Sequence, residues 1–162
     1  MRIAVYPGSF DPITLGHLNI IKRAAQIFDK VHVCVMINSG KTPLFSLQER
    51  MELIKRVVSR FDNVEVDQSD KLLVEYAKSV GATVIVKGLR AVTDFEMEFQ
   101  MALTNKKIAP SIETVFLTSS EKYTFLSSTV VKEMARHGAD LKSFVPREII
   151  TDIVNKMQTG GK

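Results

Sequence analysis

The chain has 162 residues, of which 45% are hydrophobic and 25% are charged, and these ordinary proportions exclude a disordered, collagen-like or coiled-coil protein. Its length suits one domain with a core of its own. The 22 basic and 18 acidic residues give a net charge of +4. Because basic and acidic side chains are interspersed along the chain, a nucleic-acid-binding surface is a weak interpretation.

The sequence carries no signal for a membrane or for export. Its apolar runs are far shorter than the ~20 residues that cross a bilayer, and the first residues lead into a strand-like run without the pattern of a signal peptide. Cys34 is the single cysteine and has no partner for an intrachain disulfide, which suits a reducing compartment. We therefore expect a cytoplasmic protein with no membrane partner.

Strand signals and helix signals alternate from the N-terminus onward. Runs of β-branched and apolar residues predict five strands, at residues 3–6, 31–37, 64–66, 83–86 and 114–117. The first helix follows Thr14, which is placed as its N-cap, and the second follows a capping box formed by Ser46 and Glu49. The other helices are predicted over residues 72–80, from a capping box of Thr93 and Glu96 to Pro110, from Ser128 to Gly138, and after Pro146.

This alternation predicts an α/β fold. Parallel strands need crossover connections, and a helix after each strand supplies them, so we expect a single Rossmann-like domain with a five-stranded parallel sheet and helices on both faces. The domain should cover residues 1–158, with a flexible tail over residues 159–162. In such a sheet, ligands bind outside the carboxyl ends of the strands where the strand order reverses.

The loop after the first strand is the first candidate for such a site. It runs from Pro7 to His17, and its Gly16 and His17 fall in the first turn of the predicted helix. Free backbone N–H groups and the helix dipole favour an anion there. Taken alone, the Gly-His pair is more simply explained as a helix start with a capping histidine.

Three motifs together resemble a known family. The segment Thr14-Leu15-Gly16-His17 resembles the (His/Thr)-x-Gly-His motif of nucleotidylyltransferases, and Ser127-Ser128-Thr129 with Lys132 is similar to their Ser-Ser-Thr-x-x-basic element. The segment from Lys87 to Glu96 resembles the signature of bacterial phosphopantetheine adenylyltransferases. The resemblance covers essentially the whole chain in order and spacing.

The resemblance implies an enzyme that joins 4'-phosphopantetheine to the AMP part of ATP, giving dephospho-coenzyme A and pyrophosphate. It also implies assistance by Mg²⁺, inhibition by coenzyme A, a homohexamer built as a dimer of trimers, and the strand order 3-2-1-4-5. That order makes the ends of strands one, four and five neighbours, so the three motifs would line one crevice. Since no Cys or His cluster has metal-ligand spacing, we expect the metal to arrive with the nucleotide.

The resemblance also assigns roles to individual residues. His17 would stabilise the transition state at the α-phosphate, Lys41 would neutralise the nucleophile, and Arg90 would clamp the β- and γ-phosphates. Ser9 would contact the attacking phosphate or the α-phosphate. The remaining ATP-binding positions implied are Phe10, Gly88, Leu89, Glu98, Tyr123, Thr124, Phe125, Leu126, Ser127, Ser128 and Thr129, and the remaining positions for the pantetheine substrate are Leu73, Lys87 and Asn105.

Each of these residues also has a plainer explanation. Lys41 alone is typical of a solvated loop charge, and Arg90 alone of a surface ion pair with Asp94. Ser127 to Thr129 are simply explained as helix caps, and Leu73 as a core residue. Lys87 departs from the arginine usual in the family, which loosens its expected phosphate contact because lysine lacks the bidentate fork.

Two other functions compete with this prediction. Another nucleotidylyltransferase, acting on nicotinamide mononucleotide or using CTP with a phosphoalcohol, would share the first and third motifs but not the stretch from Lys87 to Glu98. A nucleotide sensor without activity, or an RNA-binding module, could use the same crevice.

The predicted fourth helix bears on the oligomeric state. On an ideal helix, one face would carry Phe95, Phe99, Ala102 and Leu103 toward the sheet, and another would carry Met97, Met101 and Ile108. This second face is what a subunit contact would bury, although one wide stripe facing the core is an equally good explanation.

Overall fold

The computed structural model describes residues 1–40 and 42–160, apart from the side chains of Val92 and Thr93. Five strands form one sheet, and we number them β1 to β5: Ile3–Gly8, Lys30–Met36, Val64–Ser69, Val84–Leu89 and Glu113–Thr118. All four strand pairs are parallel, and the strands lie in the order 3-2-1-4-5. The predicted fold class and strand order are confirmed.

In the described part of the chain, six α-helices connect or follow the strands, and we number them α1 to α6: Leu15–Ile27, Leu47–Val58, Leu73–Ser79, Val92–Ile108, Ser128–Arg136 and Ile150–Thr159. Short 3₁₀ turns cover Glu121–Tyr123 and Arg147–Ile149. Helix α6 includes Thr159, so it extends one residue into the segment predicted as a tail. Residues 161 and 162 lie outside the described part of the chain.

The helix starts follow the cap signals in two of three cases. Thr14 caps α1 and Ser46 caps α2, each through a reciprocal capping box. The capping box predicted at Thr93 is wrong, because α4 already begins at Val92 with Ala91 as its N-cap. The carboxylate of Asp94, in the first turn, accepts a hydrogen bond from the backbone N–H of Arg90 at 3.3 Å instead.

The sheet separates two apolar cores. On one face, the side chains of Ala4, Val31 and Val33 pack with residues of α1, α2, α5 and α6. On the other face, Val5 and Ile85 pack with residues of α3 and of the segment after α4. Because helices cover both faces, the central strands are buried on both sides and their inner residues are almost all apolar.

The apolar stripe predicted to face the core on helix α4 is largely exposed. Phe95, Phe99 and Leu103 are 42%, 45% and 56% exposed, respectively. Apolar residues are distributed around this helix rather than along one side, so no single orientation buries them against the sheet. The predicted stripe reaches the sheet only in part, through Phe95, whose ring contacts that of Phe116 in β5 edge to face with centroids 6.1 Å apart.

The strand order reverses beside β1, which lies between β2 and β4. The chain crosses over from β1 to β2 on one side of β1, and β4 pairs with β1 on its other side. The carboxyl ends of β1 and β4 therefore border a crevice. Within the described ranges, no helix has both the length and the apolar character needed to span a membrane.

Candidate functional site

A cavity of about 280 Å³ opens at the carboxyl ends of β1, β4 and β5. It brings together parts of all three sequence motifs. Its walls are formed by Tyr6, Thr14, Gly16, His17, Ile20, Gly88, Arg90, Asp94, Met97, Glu98, Ser119, Tyr123, Leu126, Ser127 and Ser128.

His17 reaches the cavity from the first turn of α1. Its ring nitrogen Nδ1 lies 3.0 Å from the backbone nitrogen of Thr14, whose N–H donates to it, while Thr14 Oγ1 accepts from the backbone N–H of His17 at 3.2 Å. Because Nδ1 is an acceptor, the neutral ring carries its proton on Nε2. The imidazole is thus both a capping group and a hydrogen-bond donor available to a ligand.

The protonation state of His17 follows from its surroundings. Burial, and secondly the positive charge of Arg90, lower the pKa of His17 to about 4. The ring is therefore neutral near pH 7, and it presents an N–H to the cavity without a charge that titrates in that range.

Phe10 supports this histidine from behind. Its ring contacts the rings of His17 and Tyr6 edge to face, with centroid separations of 5.0 Å and 5.4 Å. Gly8 leaves the room that the ring needs, because a Cβ there would lie 2.9 Å from Cζ of Phe10. Phe10 itself is buried and is not among the residues that line the cavity.

Arg90 connects the β4–α4 loop to the loop before α5. Its Nε donates to Asp94 Oδ2 at 3.1 Å, and its Nη1 donates to the carbonyl oxygen of Leu126 at 2.9 Å. The ion pair with Asp94 that sequence alone allowed is present, yet the guanidinium also lines the cavity. Both contacts fix the position of a positive charge at the mouth of the site.

Tyr6 and Glu98 are two further titratable residues that line the cavity. The phenol of Tyr6 is buried, and burial raises the pKa of Tyr6 far above its usual value, with Arg90 lowering and Glu98 raising it. Glu98 lines the cavity and its carboxylate lies 3.3 Å from the ammonium of Lys87. Lys87, which stands where the family usually has arginine, is thus paired with an acidic residue of α4.

The N-terminus of α5 forms the opposite wall. Ser127 caps the helix by accepting from the backbone N–H of Val130 at 3.1 Å, and Ser128 donates its hydroxyl to the carbonyl oxygen of Pro12 at 2.7 Å. The cap explanation is therefore correct for Ser127. Since both residues also line the cavity, the free N–H groups of this helix start face a ligand site.

The predicted site residues divide into three groups. Eight line the cavity: His17, Gly88, Arg90, Glu98, Tyr123, Leu126, Ser127 and Ser128. Nine described ones do not: Ser9, Phe10, Leu73, Lys87, Leu89, Asn105, Thr124, Phe125 and Thr129. Lys41 lies outside the described residues. Leu73 packs in part against the core of the second sheet face, as its plainer explanation held.

The cavity also contains residues that sequence reasoning did not assign to a ligand. Tyr6 looks like a core residue of β1, and Ser119 looks like an ordinary loop residue after β5. Their positions at the carboxyl ends of β1 and β5 were the signal available, because those ends border the crevice once the strand order is known. Met97, assigned to a subunit contact, lines the cavity as well.

The described residues do not form a protein cage for a metal ion. No three His, Cys, Asp or Glu side chains among them are grouped as ligands. The two carboxylates that line the cavity, of Asp94 and Glu98, are each paired with a basic side chain. An all-protein Mg²⁺ site therefore does not fit this cavity.

Comparisons with known proteins identify the family. The family model described as cytidylyltransferase-like matches residues 5–134. The chain is 58% identical to the phosphopantetheine adenylyltransferase of Caldanaerobacter subterraneus subsp. tengcongensis, over 98% of this chain and 99% of that protein. The chain belongs to the phosphopantetheine adenylyltransferase family. A second member, from Clostridium tetani, is 56% identical over 96% of this chain and 98% of its own length.

Solved structures show how widely the fold of this family is shared. The nicotinic acid mononucleotide adenylyltransferase of Plasmodium falciparum superposes with a TM-score of 0.68, over 98% of this chain and 95% of that one, at 13% sequence identity. At such low identity the likeness concerns the fold alone.

Proposed function

We propose that this chain transfers the adenylyl group of ATP to 4'-phosphopantetheine, giving dephospho-coenzyme A and pyrophosphate. The observation that carries the proposal is the full-length identity of 58% to a phosphopantetheine adenylyltransferase, joined to a cavity where parts of all three motifs meet. The expected compartment is the cytoplasm. Coenzyme A shares most of its structure with the product and would compete for the same cavity.

The reaction needs charge stabilisation more than it needs a base. A phosphate oxygen of 4'-phosphopantetheine attacks the α-phosphorus of ATP, and the bond to the β-phosphate bridging oxygen breaks, so that pyrophosphate leaves. The attacking phosphate is already anionic, so no strong base is required. Catalysis then comes from holding the two phosphates in line and from donors placed where negative charge develops.

His17 is the donor best placed for the α-phosphate. The backbone N–H of Thr14 donates to Nδ1 of His17, so the helix cap holds the ring in place and fixes the direction of its Nε2–H. A neutral imidazole donates this hydrogen bond without losing a proton to the anionic phosphate. This arrangement costs little reorganisation when charge builds up in the transition state.

Arg90 and the start of α5 would receive the departing pyrophosphate. The guanidinium is already oriented by Asp94 and by the carbonyl of Leu126, and it keeps further N–H donors for the β- and γ-phosphates. The backbone N–H groups of the first turn of α5, beside Ser127 and Ser128, favour the same charge.

The second substrate would bind on the side of the β2–α2 loop and α3. We assign Ser9 and Lys41 to its phosphate, and Leu73, Lys87 and Asn105 to its phosphate and arm. Lys87 is paired with Glu98 at 3.3 Å, so a phosphate must compete with that carboxylate for the ammonium. A weaker or water-mediated contact is the consequence.

Mg²⁺ would be held by the triphosphate and by water, because the described residues form no cage for it. When bound it would neutralise phosphate charge. The other roles in phosphate binding and charge stabilisation belong to the protein residues named above.

We further propose that exposed apolar residues of α4 are buried between copies of this chain in a homohexamer. Among the described side chains of α4, five apolar ones that do not line the cavity are between 42% and 56% exposed: Phe95, Phe99, Met101, Leu103 and Ile108. Patches of this kind on a single chain are typical of interaction surfaces. Light scattering tests the proposal: a mass near six times 18.2 kDa supports it, and a mass near 18.2 kDa contradicts it.

The activity is tested by mixing the purified protein with ATP and 4'-phosphopantetheine and measuring pyrophosphate. We expect release only when both substrates are present. Nicotinamide mononucleotide in place of 4'-phosphopantetheine, and CTP with a phosphoalcohol, test the related transferases. Release with one of those pairs instead, or binding of ATP without turnover, would contradict the proposal.

A further inference from the structure

Phe10 has an unusual backbone conformation. Its φ is 48°, in the left-handed region that bulky side chains rarely occupy, and its side chain is only 1% exposed. A conformation of this kind is energetically unfavourable and persists only where surrounding contacts enforce it. Hydrogen bonds to both neighbours of Phe10 come from residues 44–50, and Lys132 of α5 adds an ion pair to Asp11 at 3.3 Å.

Arg50 of α2 holds the peptide before Phe10. Its Nη1 donates to the carbonyl oxygen of Ser9 at 3.0 Å. The side chain is 7% exposed, it has no acidic partner among the described residues, and its Nε has no hydrogen-bond partner there. A buried guanidinium with so few partners is expensive, so packing alone is a poor explanation for it.

Asp11 holds the chain on the other side of Phe10. Its carboxylate accepts the backbone N–H of Leu44 at 2.9 Å and that of Phe45 at 2.8 Å. The capping box at Ser46 then fixes where α2 begins, and Arg50 follows one turn later. Residues 44–50 therefore form hydrogen bonds with the residues immediately before and after Phe10.

The ring of Phe10 has little freedom to adjust to a change in its backbone. Tyr6 and His17 contact it edge to face, and Gly8 lies close against its far end. A shift in the Phe10 backbone must therefore move the ring relative to the His17 imidazole. Misplacing a catalytic group by about 1 Å can cost on the order of 100-fold in rate.

We propose that Arg50 is a positioning residue for the proposed adenylyl transfer: through Ser9 it holds Phe10 in the left-handed conformation, and Phe10 in turn sets the orientation of His17. The inference rests on the proposed function, since it assigns to His17 the role argued there. Arg50 itself is not among the residues that line the cavity.

Arg50→Met tests the proposal, with Arg56→Met as the matched control. Both arginines lie on α2, but Arg56 donates to the carbonyl of Glu148 and to Asp152 on the side of α6, away from the cavity. We expect Arg50→Met to lower kcat about 10- to 100-fold with a smaller change in the KM for ATP. Arg56→Met should lower stability and leave kcat unchanged. Arg50→Lys, which keeps a donor for the Ser9 carbonyl, should recover most of the rate.

A readout independent of activity is the NMR titration of the His17 imidazole. In the wild type, burial and the charge of Arg90 hold the pKa of His17 at about 4. If Phe10 relaxes in Arg50→Met, water reaches the ring and the pKa of His17 should rise toward the usual value of about 6.5. Arg56→Met should leave this titration where it is. Should Arg50→Met not fold, Arg50→Gln replaces it with the same expected direction.

The two readouts separate this inference from the proposed function. An unchanged His17 titration together with a kcat within a few-fold of the wild type would overturn the positioning role. Equal effects of Arg50→Met and Arg56→Met on kcat would overturn it as well, because both would then act through stability. A wild-type protein that transfers no adenylyl group would overturn the proposed function instead, while the titration would still report whether Arg50 orients His17.

Discussion

The neutral state of His17 should make the protein less stable in mild acid, and replacing His17 by asparagine should remove that effect. In the folded chain the ring is half-buried and accepts the backbone N–H of Thr14, so its pKa is about 4. In the unfolded chain the pKa of a histidine is about 6.5. Between these two values the unfolded state binds the proton and the folded state does not, so stability falls as the pH is lowered through this interval.

The size of the effect follows from the two pKa values. A difference of about 2.5 units at about 1.4 kcal/mol per unit gives roughly 3.5 kcal/mol, lost progressively between pH 6.5 and pH 4. This figure is an upper limit, because one edge of the ring faces the open cavity and water there relieves part of the desolvation. Above pH 6.5 the contribution of His17 to the pH dependence is absent.

Urea unfolding at a series of pH values, for the wild type and for His17→Asn, measures the effect. The Oδ1 of asparagine stands where Nδ1 of the histidine accepts from Thr14, so the helix cap is kept while the titration is removed. Other acidic groups and the remaining histidines affect both proteins alike. We expect the stability difference between the two proteins to shift in favour of His17→Asn as the pH falls from 6.5 to 4. Parallel stability curves over this range would refute the reasoning.

Three further predictions concern the residues assigned to the proposed reaction. His17→Ala should lower kcat on the order of 100- to 1000-fold with little change in ATP affinity, and steady-state kinetics that give a kcat within a few-fold of the wild type would show that the role is wrong. Arg90→Ala should weaken ATP binding more than 4'-phosphopantetheine binding and Lys41→Ala should do the reverse, whereas equal losses in calorimetric titrations would contradict the assignment. Gly88→Ala should destabilise the fold by about 1–3 kcal/mol in urea unfolding, because the added Cβ would lie 3.1 Å from Cγ1 of Ile20. Unchanged stability would contradict this prediction and would mean that α1 shifts enough to accommodate the methyl group.

The fold could be predicted from the sequence because its strands and helices have different apolar periods. The largest difference in length is at β3, predicted over residues 64–66 and observed over Val64–Ser69, whereas β1, β4 and β5 are each two residues longer than predicted. The second half of β3 is polar because β3 is an edge strand, and Asp67 there accepts from the hydroxyl of Tyr76 at 2.9 Å. A polar edge strand does not produce the apolar run on which the prediction depends.

The strand order and the face of α4 could not be derived from the residues alone. The order came from the family resemblance, and apolar periodicity does not say whether a helix packs on its own sheet or on another chain. Phe95 and Leu103 look like core residues by spacing, yet both are exposed. The capping box predicted at Thr93 is wrong because the helix already begins at Val92. The carboxylate of Asp94 accepts a hydrogen bond from the backbone N–H of Arg90 instead.

The motifs identified most of the cavity but not how its parts are connected. Local spacing predicted that Thr14 caps α1 and that His17 lies in its first turn. The contacts of Arg90 with Leu126 and of Ser128 with Pro12 join segments far apart in the chain. Such contacts depend on the completed tertiary structure, so no local pattern encodes them.

The most direct test of adenylyl transfer follows the phosphorus atoms of ATP. The protein is incubated with 4'-phosphopantetheine and with ATP labelled at either the α- or the γ-phosphate, and the products are separated. Attack at the α-phosphorus places the α-label in dephospho-coenzyme A and the γ-label in pyrophosphate. A γ-label found in a pantetheine product, or no labelled dephospho-coenzyme A from α-labelled ATP, would contradict the proposed function.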